Sequence, residues 1–408
     1  MYFTHLALEH FRRFVFWEHT FTPGVHLIVG PNARGKTTLL EAASYLTTFS
    51  SFLARQPRQL VNQTLALQHP LLVTRLRATF WREEGDAHRE RRMEVRLIWR
   101  REPTGQARTQ KEIRVDDVKR TAAEALGVVQ TVLFLPHMLH IVDGAPELRR
   151  RYLNLSIAPG DPQYAYALAQ YTKALQQRNA LLKVLWDTRG DLEQLEIWDQ
   201  VLSQHGAYLI WTRYRTLQHW NLLADERGWN RLGNGEVLRL VYWPSLGNGP
   251  EDENNHQVPL PFHVPEVSLP ASEKGVRQML LERLRQRRPL DLQRGHTTLG
   301  PHRDDFRFLV SGMDLATFGS RGQMRSALLM LKLVEAAWYH GKTGVRPVIL
   351  LDEVLAELDA DRRRRVMEAF LDFGEQIWVT TTEPDLFPAD LVADLHIWKL
   401  HDTGLDPW

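Results

Sequence analysis

None of the chain's 408 residues is cysteine, which excludes disulfides, thiolate zinc sites and a zinc-bridging C-x-x-C clasp. No apolar run approaches the roughly 18 residues that a membrane-spanning helix needs. The opening Met1-Tyr2-Phe3-Thr4-His5-Leu6 also lacks the basic stretch and cleavage site of a secretory leader. The expectation is a cytoplasmic protein that makes no use of a membrane. Charge of one sign is missing as well: 51 Lys and Arg against 49 Asp and Glu leave +2. Any affinity for nucleic acid must therefore come from local arginine clusters and not from a global field. There is no internal repeat and no sustained heptad, which argues against a solenoid and a long coiled coil. What is present, 43% hydrophobic and 25% charged, is ordinary globular composition with length for two or three domains.

One stretch organises the rest. Gly30-Pro31-Asn32-Ala33-Arg34-Gly35-Lys36-Thr37-Thr38 fits G-x-x-x-x-G-K-[ST], a turn whose backbone N–H groups wrap a triphosphate. Its lysine reaches the β- and γ-phosphates, and its hydroxyl reaches Mg²⁺. The context agrees: Val25 to Val29 is a short β-branched run, and Lys36 to Leu46 places Leu39, Leu40, Ala43 and Leu46 on one helical face. Strand, loop and helix predict phosphates at a helix N-terminus, where unpaired N–H groups and the dipole favour negative charge.

Further along, Leu72 to Phe80, Met93 to Trp99 and Ile113 to Val115 alternate as half-buried antiparallel strands do. Val129 to Leu135 reads as a buried strand returning to the core. Pro146 opens a helical region to about Leu232, and Gly247-Asn248-Gly249-Pro250 begins a loop running to Pro270. Ser272 to Arg288 and Gly322 to Tyr339 read as helices, and Phe306 to Val310 as a strand. Val348-Ile349-Leu350-Leu351 is the most apolar short run and predicts a central parallel strand. Asp361 to Phe370 follows as a helix, Gln376 to Thr380 as a strand, and His396 to Leu400 as the last strand.

A phosphate loop needs a carboxylate for magnesium and a group to activate water. Asp352 and Glu353 directly follow the apolar strand, at the carboxyl end where open α/β sheets place ligands. Asp352 is the candidate Mg²⁺ ligand beside Thr37, and Glu353 the candidate to orient or deprotonate water; with Lys36 they form the catalytic set. Gly319-Ser320-Arg321-Gly322-Gln323 opens the preceding helix. It reads either as a plain serine N-cap or as a second anion site built from Ser320, Gly322 and Gln323. Arg12 is either a phosphate contact or a surface residue. His302, in a Pro-His-Arg-Asp turn, reads as a structural hydrogen bonder and not as a metal ligand. Arg149 to Arg151 and Arg362 to Arg365 are candidate DNA-phosphate contacts.

Ser-x-Gly-Gln some thirty residues ahead of an apolar-Asp-Glu strand is similar to the signature motif of ABC-type ATPases. The long insertion without heptads, between the phosphate loop and that motif, narrows the resemblance to the RecF family. It is carried by Phe11-Arg12-Arg13-Phe14, by Phe134-Leu135-Pro136 with Ile141 to Leu153, and by Gly300-Pro301-His302-Arg303-Asp304-Asp305. Phe318 to Arg325 and Leu358 to Arg363 add to it. The chain departs from the family pattern at Ala33-Arg34, where Gly-Gln is usual, at His137-Met138, where acids are usual, and at Met324. The resemblance implies an α/β, ABC-type ATPase head (a P-loop NTPase) with an antiparallel β arm and an inserted helical second lobe. Residues 1–135 and 300–408 would form the ATPase core, with the β-rich arm at about 55–120, and 136–299 the second lobe. It further implies ATP and Mg²⁺ as cofactors and an ATP-dependent homodimer in which Ser320 and Gln323 complete the other copy's site. Leu355 to Asp359 would cross that interface, and Thr381 or Thr382 would sense the γ-phosphate. DNA with single-stranded, gapped or junction character is the implied substrate, RecR-like and RecO-like proteins the partners, and repair, fork maintenance and SOS induction the roles. The alternatives are an ATPase subunit of a DNA-end-processing SMC-like complex and, less in keeping with the insertion, an ABC transporter subunit.

Overall fold

The computed structural model of the chain describes residues 1–84, 87–102, 107–232, 235–246, 269–392 and 395–408. The loop expected from Gly247 lies almost wholly outside them. Two compact units are present, Met1–Met138 with Lys332–Trp408, and Leu139–Leu331.

The first unit holds two sheets. One is antiparallel, with strand order β2 (Phe14–Thr20), β1 (Tyr2–Phe11), β4 (Leu71–Glu84), β5 (Ala87–Arg101), β6 (Ala107–Val115), β7 (Val118–Arg120). Its inner face repeats at every second residue, with Leu72, Leu76, Ala78 and Phe80 on β4 and Met93, Val95, Leu97 and Trp99 on β5 all buried, the alternation of a sheet with one wet face. The arm is therefore continuous with the first two strands of the chain.

The other sheet has the order β15 (Leu405–Pro407), β14 (Leu395–Leu400), β3 (Gly24–Val29), β13 (Gln376–Thr381), β12 (Val348–Asp352), β8 (Thr131–Phe134). All pairings but β14 with β15 are parallel. Every residue of β8, β12 and β13 is buried, as strands covered on both faces require. β12 is flanked on both sides, as its apolar run predicts. β15 is an addition: His401 N bonds to Gly404 O at 3.0 Å and turns the chain back after β14, so His396 to Leu400 is not the last strand. Phe3 and Trp378 join the sheets at 5.5 Å between centroids, and Phe21 stacks on Trp378 at 4.2 Å.

In the second unit, the helices Pro162–Thr188, Glu196–Arg227 and Glu273–Arg294 pack around a buried ionic network. Arg178 donates to Asp199 at 2.8 Å and to Asp291 at 2.6 Å, and Arg288 to Asp199 at 2.8 Å. A three-stranded sheet, β11 (Met313–Asp314), β10 (Asp305–Val310), β9 (Leu238–Trp243), completes it. The later boundary thus falls within the helix Arg321–Thr343 and not at 299/300. The physical reason is that β10 pairs with β9 over its whole length, from Asp305 opposite Trp243 to Val310 opposite Leu238.

A phosphate-loop site at the carboxyl ends of parallel strands

Strand register brings the site together. Asp352 lies opposite Thr380 across β12 and β13, and Thr381 lies opposite Val29 across β13 and β3. The three strands end level, so Gly30 N donates to Thr381 O at 3.3 Å and Glu353 N to Thr380 O at 3.1 Å.

The phosphate loop leaves β3 and enters the helix Lys36–Thr48 through two left-handed residues, Ala33 at φ 63° and Gly35 at φ 101°. Glycine is required at 35 for a second reason. A Cβ there would lie 2.7 Å from Phe14 Cζ and 2.9 Å from Arg13 Cδ. Gly35 caps the helix with no side-chain hydrogen bond, which leaves the first-turn N–H groups for an anion.

Lys36 is buried, its Nζ donating to the carbonyls of Gly30 and of Pro31, the latter at 3.3 Å. It also lies 3.0 Å from Glu353 Oε1. That approach is not aligned as a hydrogen bond, so Oε1 has an electrostatic partner but no donated hydrogen. Thr37 Oγ1 donates to Asp352 Oδ2 at 2.8 Å, and Thr380 Oγ1 to Oδ1 at 2.6 Å. Burial raises the Asp352 carboxyl above its ordinary value, while the hydroxyls of Thr380 and Thr37 act in the opposite sense. Glu353 adopts φ 50°, a strained setting for a non-glycine residue that clusters at functional sites. A hydroxyl and a carboxylate 2.8 Å apart beside a phosphate loop are the oxygen donors a hard divalent cation takes alongside substrate phosphates, so Thr37 and Asp352 fit Mg²⁺.

A cavity of about 590 Å³ opens over the loop, within the range of small-molecule sites. Pro31, Asn32, Ala33, Gly35, Lys36, Thr37, Thr38 and Glu353 line one side, and Arg12 and Arg13 border it. Arg34 is exposed and is not among the lining residues. Arg12 forms a bidentate pair with buried Glu41, at 2.9 and 2.7 Å. Arg13 donates to Ala33 O and, at 2.8 Å, to Asp402. The β1–β2 turn is in this way tied to the phosphate loop.

Sequence reasoning missed the remaining wall, formed by Gln59, Val61, Asn62, Gln63 and Thr64. It missed Thr380 as a partner of Asp352 and Glu41 as the partner of Arg12. For Glu41 a signal existed: an acid between Leu40 and Ala42, in a helix buried along most of its length, needs a cation.

Elsewhere, Thr381 Oγ1 is bonded locally to Glu383 N and O at 3.0 and 3.1 Å, and Thr382 is exposed. Ser320 and Gln323 form a reciprocal cap: Gln323 N donates to Ser320 Oγ at 3.2 Å, and Ser320 N to Gln323 Oε1 at 2.8 Å. Gln323 Nε2 reaches Glu236 at 2.9 Å. His302 bridges Tyr171 and Thr297 within the second unit. Among the described residues no group of three or more His, Cys, Asp and Glu could hold a metal ion. Arg149 is buried against Asp305 at 2.7 Å. Arg362 pairs with Asp359 at 3.3 Å and Arg364 with Asp390 at 2.6 Å.

Comparison with known proteins gives the family and the fold. The family described as RecF/RecN/SMC N terminal domain matches residues 2–392. DNA replication and repair protein RecF of Roseiflexus castenholzii is 35% identical, covering 100% of both chains. Its counterpart from Chloroflexus aurantiacus is 35% identical over 98% of both. A solved structure of the recombination mediator protein RecF with ATPrS, in the RecFOR pathway, superposes with TM-score 0.79 at 30% identity, covering 100% of this chain and 98% of that one. Sheet order, phosphate loop, strand-end acids and full-length similarity converge: the chain belongs to the RecF family and has the ABC-type ATPase head fold.

Proposed function

We propose that the chain is an ATP-dependent DNA clamp of the RecF type, acting in recombinational repair, replication-fork maintenance and SOS induction. The observation that carries this reading is the Thr37–Asp352–Thr380 chain of hydroxyl–carboxylate bonds beside buried Lys36. It is a preorganised magnesium and triphosphate site with no other evident use. Lys36 holds the β- and γ-phosphates, Thr37 and Asp352 hold Mg²⁺, and Glu353 orients or deprotonates the attacking water. When bound, the cation neutralises charge developing on the phosphates.

The site of one copy is completed by Ser320 and Gln323 of the other, so that two ATP molecules lie in a homodimer and hydrolysis is slow and DNA-stimulated. The exposed position of Ser320, at the start of the helix Arg321–Thr343, supports this. The closed dimer binds single-stranded or gapped DNA and cooperates with RecR-like and RecO-like proteins to load recombinase in the cytoplasm. It is not a nuclease. Among the described residues no helix is long and apolar enough to cross a membrane, and nothing favours a transporter.

Sizing the protein with and without ATP, with turnover measured against protein concentration, tests the reading. Lys36→Ala should abolish ATP binding, whereas Ser320→Arg should keep it and lose both dimerisation and hydrolysis. Undiminished turnover by Ser320→Arg at low concentration refutes the shared site.

A further inference from the structure

The turn Gly300-Pro301-His302-Arg303-Asp304-Asp305 is held by more buried polar bonds than a surface connection needs. Arg303 N closes it on Gly300 O at 2.8 Å. Gly300 has φ 123°, and a Cβ there would lie 2.4 Å from Tyr171 Oη. Arg213, 2% exposed, donates to Pro301 O at 2.6 Å. The His302 ring is fixed by Tyr171 Oη at 2.7 Å and Thr297 O at 3.1 Å. Asp304 accepts from Tyr242 Oη and, at 2.7 Å, from Ser245 N. Asp305 takes a bidentate bond from Arg149 at 2.7 and 2.8 Å.

Of the polar side chains of this turn, His302, Asp304 and Asp305 are engaged. Arg303 is exposed, and among the described residues it has neither an ion-pair nor a side-chain hydrogen-bond partner. Arg150 donates to the carbonyl of Asp304 at 2.9 Å and, among the described residues, forms no salt bridge with a carboxylate. Burial lowers the Arg150 guanidinium from its ordinary value; the Asp305 and Asp304 carboxylates oppose that, and the positive charges of Arg213 and Arg303 add to it. Four guanidiniums (Arg149, Arg150, Arg213, Arg303) thus stand around two carboxylates (Asp304, Asp305), a local excess of two positive charges. Arg149 and Arg213 are buried, which leaves the excess on exposed Arg303 and half-buried Arg150.

We propose that Arg303, supported by Arg150, contacts the phosphodiester backbone of DNA. The assignment rests on the DNA-binding reading above and names a surface for it. A guanidinium presents a fork that matches phosphate oxygens, and a rigid turn lowers the cost of ordering it on binding. It contributes register and affinity, not sequence readout. The adjoining Arg149, first in the Arg149-Arg150-Arg151 run, belongs to the scaffold.

The test compares wild type, Arg303→Ala and Arg303→Lys as full-length chains with ATP and Mg²⁺, binding a gapped duplex across a salt series. Arg303→Ala should bind about tenfold more weakly, the loss of one charge-assisted bond. The slope of log affinity on log salt should fall by about one. Arg303→Lys should recover the slope and part of the affinity, and ATP binding and melting temperature should not move. Unchanged affinity and slope in Arg303→Ala, with wild type binding DNA, overturns the assignment alone. A lost ATP-dependent dimer with DNA affinity intact, or a fallen melting temperature, overturns it in favour of an inter-copy or structural role. A wild-type chain that binds no DNA sinks this assignment together with the DNA-clamp reading.

Discussion

Replacing Glu353 by glutamine should tighten ATP binding while stopping hydrolysis. In the structure Glu353 Oε1 is 3.0 Å from Lys36 Nζ, so the residue assigned to water activation also holds the cation assigned to the phosphates. At an effective dielectric of about 20, two unit charges 3.0 Å apart attract by about 5.5 kcal/mol. That figure is a ceiling. Glu353 keeps 24% of its side chain exposed, and Lys36 retains the carbonyls of Gly30 and Pro31. A net effect of about 1–2 kcal/mol is the reasonable size, or roughly five- to thirtyfold in Kd. Dimer closure would raise apparent affinity for a separate reason. The measurement therefore belongs in a Ser320→Arg background, by calorimetric titration with a non-hydrolysed ATP analogue at low protein concentration. Glu353→Gln should lower Kd there and Glu353→Asp should give an intermediate value. An unchanged or weakened Kd in Glu353→Gln would mean that this ion pair does not compete with the phosphates.

Three further outcomes follow from particular contacts. Gly35→Ala should cost about 2 kcal/mol or more through its left-handed backbone and the overlap with Phe14, whereas Ala33→Gly at φ 63° should be neutral or stabilising by up to about 1 kcal/mol. Opposite signs in thermal denaturation are required, and equal shifts would discount the backbone argument. His26 Nδ1 accepts the Trp398 indole N–H at 2.9 Å, and its Nε2 donates to Thr22 O at 2.8 Å, so the neutral ring is fully bonded. Burial lowers its pKa from 6.5 to about 4. The folded value lies below the unfolded one, so its stabilisation is present above pH 6.5 and is lost as pH falls through about 4. That amounts to about 3 kcal/mol. His26→Gln should flatten tryptophan-monitored stability between pH 7 and 4, and an equally steep profile would assign acid sensitivity elsewhere. Arg149→Ala should strip buried Asp305 of its partner at about 3–5 kcal/mol, seen as faster proteolysis of the second unit. Normal protease resistance with weakened DNA binding would return Arg149 to the surface.

What could be read from the sequence is what local backbone chemistry dictates. The phosphate loop needs small left-handed residues and a lysine at fixed offsets, and the fold meets that demand at Gly35 and Lys36. Asp352 is legible because an acid directly after a fully apolar strand must emerge at its carboxyl end. Illegible were the partnerships made across long separations. The apolar alternation of β4 to β6 gives strands but not the neighbour of β4, which is β1. Gln59 to Thr64 carry no periodic signal, and they join the cavity because Arg12 N bonds to Leu60 O and Asn62 N to His10 O. The arginines make the point most directly. In the sequence, Arg149 and Arg150 are neighbours of one kind. In the fold, Arg149 forms a bidentate pair with Asp305, 156 residues away, whereas Arg150 donates to a backbone carbonyl, 154 residues away. Composition counts each as +1, but a phosphate at the surface is attracted only to charge that the fold has left uncompensated. In a chain whose formal net charge is +2, such charge exists only where tertiary pairing fails to use it.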